Sequence, residues 1–167
     1  MGTRFSEETE SKPKPMILID DKPILWHIMS IYAKHGFCDF VIATGYKSEV
    51  IEEWVNFEVF PEWTVRTIFT GLEAQTGGRI KKCINELDED IFFVTYGDGL
   101  GNVNVKELLE FHKRHGKAST VTAVRPPARF GYLKSINGKV EHFGEKNQVD
   151  EGWINGGFFV INREVES

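Results

Sequence analysis

The run Ile91-Phe92-Phe93-Val94, closed by Asp98 between Gly97 and Gly99, constrains the fold more than any other stretch of these 167 residues. Successive side chains on a strand point to opposite faces, so four apolar residues in a row require cover on both sides. Such a strand belongs inside a parallel, helix-covered sheet. Open α/β sheets take ligands at the carboxyl ends of their strands, and there the Gly-Asp-Gly corner delivers a carboxylate. Asp98 is suited to ligate a metal, although Asp and Gly also serve as plain turn residues.

The rest of the chain alternates helix and strand around that run. Pro23 opens a helix with the apolar stripe Ile24, Leu25, Ile28, Met29 and Tyr32, stopped by Gly36. Residues 39–43 read as a second buried strand, and Ser48 caps a helix whose apolar face is Val50, Ile51, Trp54 and Val55. A strand is expected over 62–70, a Gly-rich loop over 71–78 and a helix over 79–87. Asn104 caps a helix bearing Val105, Leu108, Leu109 and His112, ended by Gly116, and 119–124 is the next strand. Asn137-Gly138 then marks a hairpin over 132–143. The alternation predicts an α/β fold, a mainly parallel sheet flanked by helices. A single domain spans 1–167, with a core over 1–125 and a β-rich lobe over about 126–161 that closes a pocket at the carboxyl edge.

A hydrophobic content of 41% with 27% charged residues is that of a globular chain, and the formal charge of −5 argues against nucleic acid as a partner. Cys38 and Cys83, each in an apolar segment, read as small core residues of a reducing compartment. There is no stretch of membrane-spanning length and no signal-peptide core, so the expected location is cytoplasmic, with no membrane partner. His27 and His35 flank a helix stripe without a second ligand at metal spacing, and periodicity does not decide whether the four tryptophans are core or interface.

Several residues carry chemistry. Lys12 and Lys14 sit on a proline-stiffened segment, and the 71–78 loop running into a helix offers free backbone N–H groups to a phosphate. With Arg4, Asp98, Gly131 and the Glu145-Lys146 pair, they compose a cationic rim, a metal carboxylate and a polar pair. That set suits nucleotidyl transfer, since the chain has no Ser-His-Asp order, no zinc spacing and no cysteine in a nucleophile setting.

These residues match a known family in order. Gly2-Thr3-Arg4, Lys12-Pro-Lys-Pro-Met16, Pro23-Ile-Leu-Trp-His-Ile-Met29, Thr95-Tyr-Gly-Asp-Gly99, Phe111-His-x-x-His-Gly116, Pro126-Pro-x-Arg-Phe-Gly131 and Ile154-Asn-Gly-Gly-Phe-Phe159 run through the chain. In these blocks the chain resembles the sugar-phosphate nucleotidyltransferases, and their cytidylyl branch in particular. The resemblance implies a Rossmann-like fold with a sugar-binding lobe, Mg²⁺ as cofactor, CTP and glucose 1-phosphate as substrates, and a homo-oligomer in the full-length form. It implies that Gly2, Thr3 and Arg4 line the triphosphate, with Arg4 and Lys14 as the catalytic cations. Thr76, Gly77 and Gly78 would meet the nucleotide, and Asp98 would hold the metal. Gly131, Glu145, Lys146, Asn155 and Gly156 would bind the sugar phosphate.

Three departures accompany the match. The family's first strand and the leading glycines of its signature loop are not in the sequence, which also stops before the family's second metal aspartate. The segment between Trp54 and Thr64 is short, and Asn147 stands where the family has proline. UTP, GTP or dTTP in place of CTP, or nucleotide and sugar-phosphate binding without turnover, remain the alternatives to CTP-dependent transfer.

Overall fold

The structure is a computed structural model, and it describes residues 12–58, 60, 62–125, 132–144 and 152–166. A 3₁₀ turn, Lys14–Met16, leads into the two-residue strands β1 (Leu18–Ile19) and β2 (Lys22–Pro23), which pair antiparallel. Helix α1 (Ile24–Ala33), β3 (Asp39–Thr44), α2 (Ser48–Phe57), β4 (Thr64–Phe69), α3 (Thr76–Ile84), β5 (Ile91–Val94), α4 (Val105–His115) and β6 (Ser119–Val124) follow in alternation. The hairpin β7 (Tyr132–Ile136) and β8 (Lys139–Gly144) comes next, then β9 (Ile154–Asn162) and a closing 3₁₀ turn, Arg163–Glu166.

Most predicted elements form where their apolar periods place them. In α1 the residues Leu25, Ile28, Met29 and Tyr32 are buried, as the stripe requires. Asn104 caps α4, its carbonyl oxygen accepting from the Glu107 amide at 3.2 Å while its Nδ2 donates to Glu107 Oε1 at 2.8 Å. Gly116 ends the helix in the left-handed conformation. Asn137 and Gly138 both have positive φ, the turn geometry that matches strand twist in a two-residue hairpin.

Three expectations need correction. Lys47, at φ 54°, occupies the cap of α2, and Ser48 is the first helical residue rather than the cap. The segment 71–78 is not all loop, because α3 begins at Thr76 and ends at Ile84 instead of running from 79 to 87. Residues 154–161 do not belong with the hairpin. β9 lies between β5 and β6, antiparallel to both, with Phe159 opposite Val94 on one side and Val121 on the other.

β3 and β4 pair in parallel, and β5 and β6, each antiparallel to β9, run parallel to one another. Among the described residues β3–β4 is thus a parallel pair and β5-β9-β6 a separate antiparallel sheet, so the α/β fold carries strands of mixed direction, a common departure in doubly wound folds. β7 and β8 pair with each other.

One core lies where α1, α4 and the strands meet, with Ile28, Tyr32, Val105 and Phe158 at its centre and Phe40 and Phe93 packed against it. Tyr32 stacks on Phe158 at 5.9 Å and meets Phe93 edge-on at 5.3 Å, so β3, β5 and β9 share one aromatic seam. A second cluster of Met16, Leu25 and Ile51 anchors the Lys14–Met16 turn beneath α1 and α2. Trp26, Trp54 and Trp63 join Phe40 and Phe60 in an aromatic group, whereas Trp153 is exposed beside Arg125.

The His-x-x-His spacing on α4 is spent on structure. The Lys117 amide donates to His115 Nδ1 at 2.9 Å, leaving His115 Nε2–H to donate to Thr120 Oγ1 at 2.7 Å. The Thr120 hydroxyl then donates to Nδ1 of the fully buried His112 at 2.8 Å, and His112 Nε2–H donates to Asn162 Oδ1 at 2.8 Å. Asn162 Nδ2 returns to the Lys117 carbonyl at 3.3 Å. Every donor faces an acceptor around this ring, which clamps α4 to the start of β6 and the end of β9.

Candidate active site

The carboxyl end of β5 gathers several of the predicted residues. Beyond Val94 the chain passes through Thr95 and Tyr96 into a turn at Gly97 and Asp98. Pro15 packs against Gly97 so closely that a Cβ there would lie 3.0 Å from Pro15 Cγ, so this glycine is what lets the lysine-bearing turn approach. The turn is closed by Met16 N–H donating to the Pro13 carbonyl and Ile17 N–H to the Lys14 carbonyl, with Met16 and Ile17 buried and Lys14 exposed. Burying the two neighbours holds Lys14 at this edge with its ammonium in solvent.

From the other side β9 brings Asn155. Its Nδ2 donates to the Tyr96 hydroxyl at 3.0 Å, and its Oδ1 accepts from the Gly157 amide at 2.8 Å. Here β9 bulges. Its register against β6 shifts between Val121 and Ala123, and Gly157 and Phe158 have φ of 73° and 48°. Left-handed backbone is easy for glycine but strained for phenylalanine. The strain is held by the buried Phe158 ring and by Thr122 Oγ1, which donates to the Phe158 carbonyl at 3.0 Å. At Gly156 a Cβ would lie 2.6 Å from Val124 Cγ1 and 3.0 Å from the Thr122 carbonyl, so no larger residue fits this bulge unshifted.

Thr76, Gly77 and Gly78 form a separate group. They are the first turn of α3, exposed, and the Arg79 amide donates to the Gln75 carbonyl at 3.0 Å. Their amides point out of the helix end, and among the described residues no atom beyond the chain neighbours and the helix's own backbone lies within 4 Å of a Cβ built on Gly77 or Gly78. Arg79 pins this helix end to the strands. Its Nη1 donates to the Thr44 carbonyl at 2.9 Å and to Thr70 Oγ1 at 2.6 Å, and Lys82 Nζ donates to the Thr70 carbonyl at 2.7 Å. The open helix end therefore sits at the carboxyl ends of β3 and β4, poised for an anion. Among the described residues no hydrogen bond joins this group to Asp98 or Asn155.

Asp98 is exposed and, among the described residues, makes no hydrogen bond or ion pair. The described residues hold no group of three His, Cys, Asp or Glu arranged for a metal. One free carboxylate suits Mg²⁺, which keeps several waters and binds through one or two carboxylates plus substrate phosphates. Burial pushes the Cys83 thiol up from its ordinary value, with Arg79 opposing, so it is no thiolate nucleophile. Gly2, Thr3, Arg4, Gly131, Glu145 and Lys146 lie outside the described residues.

Sequence reading missed Tyr96, Arg79 and the Arg125–Trp153 pair, in which the guanidinium lies 4.6 Å from the indole centroid. Tyr96 was signalled only by its place in the Tyr-Gly-Asp-Gly corner. Arg79 and the Arg125–Trp153 pair act across elements, and no local spacing announces them.

Comparison with known proteins shows the family and the fold. The family model described as nucleotidyl transferase matches residues 1–167. A glucose-1-phosphate cytidylyltransferase from Salmonella typhimurium is 43% identical over an alignment covering 99% of this chain and 73% of that protein. A D-glycero-alpha-D-manno-heptose 1-phosphate guanylyltransferase from Aneurinibacillus thermoaerophilus is 30% identical, covering 99% of this chain and 72% of that protein. The crystal structure of HddC from Yersinia pseudotuberculosis superposes with a TM-score of 0.69 at 22% identity, covering 92% of this chain and 69% of that one, which shows a shared fold. With an open helix end at one strand pair, a free carboxylate at another and a family match along its whole length, the chain belongs to the nucleotidyl transferase family.

Proposed function

We propose that this protein transfers the cytidylyl group of CTP to glucose 1-phosphate, giving CDP-glucose and pyrophosphate. The observation that carries the reading is the 43% identity over 99% of the chain to a protein named for that activity, against 30% for a guanylyltransferase. A phosphate oxygen of glucose 1-phosphate attacks the α-phosphorus of CTP in line. The new P–O bond forms as the bond to the β-phosphate breaks, and the pyrophosphate departs with that electron pair.

Such a transfer asks for positioning and charge neutralisation rather than a protein nucleophile. In this reading Lys14, beside the β5 corner, and Arg4 offset the charge of the transferring and leaving phosphates, and the amides of Thr76, Gly77 and Gly78 receive the nucleotide. Asn155 and the Gly156 bulge, with Gly131, Glu145 and Lys146, orient the sugar phosphate. Asp98 would hold Mg²⁺, which when bound supplies Lewis-acid neutralisation of phosphate oxygens. Supply of nucleotide sugar for polysaccharide synthesis in the cytoplasm, by a homo-oligomer, belongs to the same proposal. No helix among the described residues is long and apolar enough to cross a membrane.

The test is pyrophosphate release by the full-length protein with glucose 1-phosphate, Mg²⁺ and each nucleoside triphosphate in turn. Release with CTP well above the others is expected, and release with UTP, GTP or dTTP but not CTP would overturn the assignment. Asp98→Asn should lower Mg²⁺-dependent turnover by about 100-fold or more, on the scale of losing a preorganised electrostatic contact, with an unchanged melting temperature. Full turnover in that variant would remove Asp98 from the metal site.

A further inference from the structure

The hydrogen bonds at the β9 bulge fix more than the position of Asn155. Because the Gly157 amide donates to Oδ1, the side-chain amide has one orientation, and the group facing Tyr96 is the donor Nδ2. The Tyr96 oxygen is therefore an acceptor in that bond, and its own proton points elsewhere. Among the described residues nothing accepts that proton, and Nδ2 has a second hydrogen beyond the one Tyr96 takes.

Tyr96 is 40% exposed and lies two residues before the free carboxylate of Asp98, beyond the carboxyl end of β5. The ring is held. A Cβ on Gly157 would lie 3.3 Å from Tyr96 Cδ2, and Phe159 meets the ring edge-on at 6.0 Å. Backbone strain of the kind at Phe158 persists where the surroundings over-determine it, and here its product is a locked amide that turns a phenol into a donor.

We propose that Tyr96 is a substrate-binding residue whose hydroxyl, oriented by Asn155, donates a hydrogen bond to an oxygen of the sugar phosphate. Resting on the sugar-phosphate transfer proposed above, the inference adds a contact and a division of labour. Asn155 positions Tyr96 and offers a second donor, and the pair presents two N–H or O–H groups toward an oxygen-rich ligand. Two neighbouring donors favour phosphate or hydroxyl oxygens over a ligand that is itself a donor.

The experiment compares full-length wild type with Tyr96→Phe, which keeps the ring and its packing. Steady-state kinetics should show KM for glucose 1-phosphate raised about tenfold, the scale of one hydrogen bond to a charged group, with KM for CTP unchanged. Calorimetric titration with glucose 1-phosphate alone should show the same loss of affinity. Asn155→Ala should give a similar loss, and adding it to Tyr96→Phe should cost much less than the product of the two, because the residues act as a pair. A lower melting temperature in Tyr96→Phe with unchanged KM and Kd would mean a structural hydroxyl and would overturn the inference. If the wild type turns over another nucleotide but the sugar-phosphate titration still depends on Tyr96, the CTP assignment fails and the inference stands. No binding of glucose 1-phosphate to either protein would overturn it.

Discussion

Thr120→Val isolates the hydroxyl at the centre of the histidine ring while keeping a β-branched residue of nearly the same volume on β6. The substitution strands two groups at once. His112 Nδ1, in a residue only 1% exposed, loses its donor, and His115 Nε2–H loses its acceptor. A stranded buried polar group costs about 1–3 kcal/mol, and the part-buried His115 side recovers some of that by hydration, which gives a loss of about 2–4 kcal/mol. For a chain of this length each kcal/mol lowers the melting temperature by roughly 2–4 °C, so a fall of about 5–15 °C is expected. Urea unfolding followed by circular dichroism measures the free energy directly, and Thr120→Ser, which restores the hydroxyl, should recover most of it. Kinetic constants at a temperature where both proteins are folded should not change, because Thr120 lies at the amino end of β6 and the candidate site at the opposite end. A Thr120→Val protein within about 0.5 kcal/mol of wild type, the ordinary scatter of a surface change, would refute the closed ring and its energetic weight.

Gly156→Ala places a Cβ against Val124 and the Thr122 carbonyl, so the bulge must shift and carry Asn155 with it. The KM for glucose 1-phosphate should rise by about tenfold, the scale of one lost hydrogen bond, and an unchanged value would show the bulge does not aim that side chain. Burial pushes the Tyr32 phenol well above its ordinary value of 10.0, the Thr95 side chain drawing it back a little without a well-aligned hydrogen bond. A group raised in this way leaves stability intact below its unfolded value and erodes it above, since only the unfolded chain ionises freely there. Wild-type stability should therefore fall as pH rises past 10 and Tyr32→Phe should remove part of that slope; parallel curves from pH 9 to 11 would contradict it.

What was legible in the sequence was local. The Leu25–Tyr32 stripe, the Asn104 cap and the Asn137-Gly138 turn each carry their geometry in a few adjacent residues, and each formed as read. Asp98 was legible for the same reason, as a carboxylate on a glycine corner after an apolar strand; the cover expected on both faces of that strand was not, because Ile91–Val94 is half-buried throughout and, among the described residues, pairs only with the antiparallel β9. The start of α3 was not, because Gly77 and Gly78 are poor helix formers and the first turn is secured by Arg79 reaching Thr44 and Thr70 on other strands. Nor was the place of β9. Its apolar residues fit a strand anywhere in a sheet, and its neighbours β5 and β6 lie 65–71 and 30–42 residues away along the chain. The Tyr96–Asn155 bond belongs to that non-local class, and a motif read one block at a time contains both residues without joining them.

The insertion of β9 between β5 and β6 also has a history in time. During synthesis β5 and β6 are complete while about forty residues remain before the end of β9, a wait of roughly 2–8 s at ordinary elongation rates. Until then each of the two strands faces solvent with the unpaired amides and carbonyls that β9 will satisfy, beside Phe92 and Phe93. An edge of that kind recruits any strand within reach, including the same segment of a neighbouring nascent chain. The yield of soluble protein from a ribosome is then a race between arrival of residues 154–162 and encounter with another polypeptide, and lowering the expression level tips that race toward the intramolecular partner.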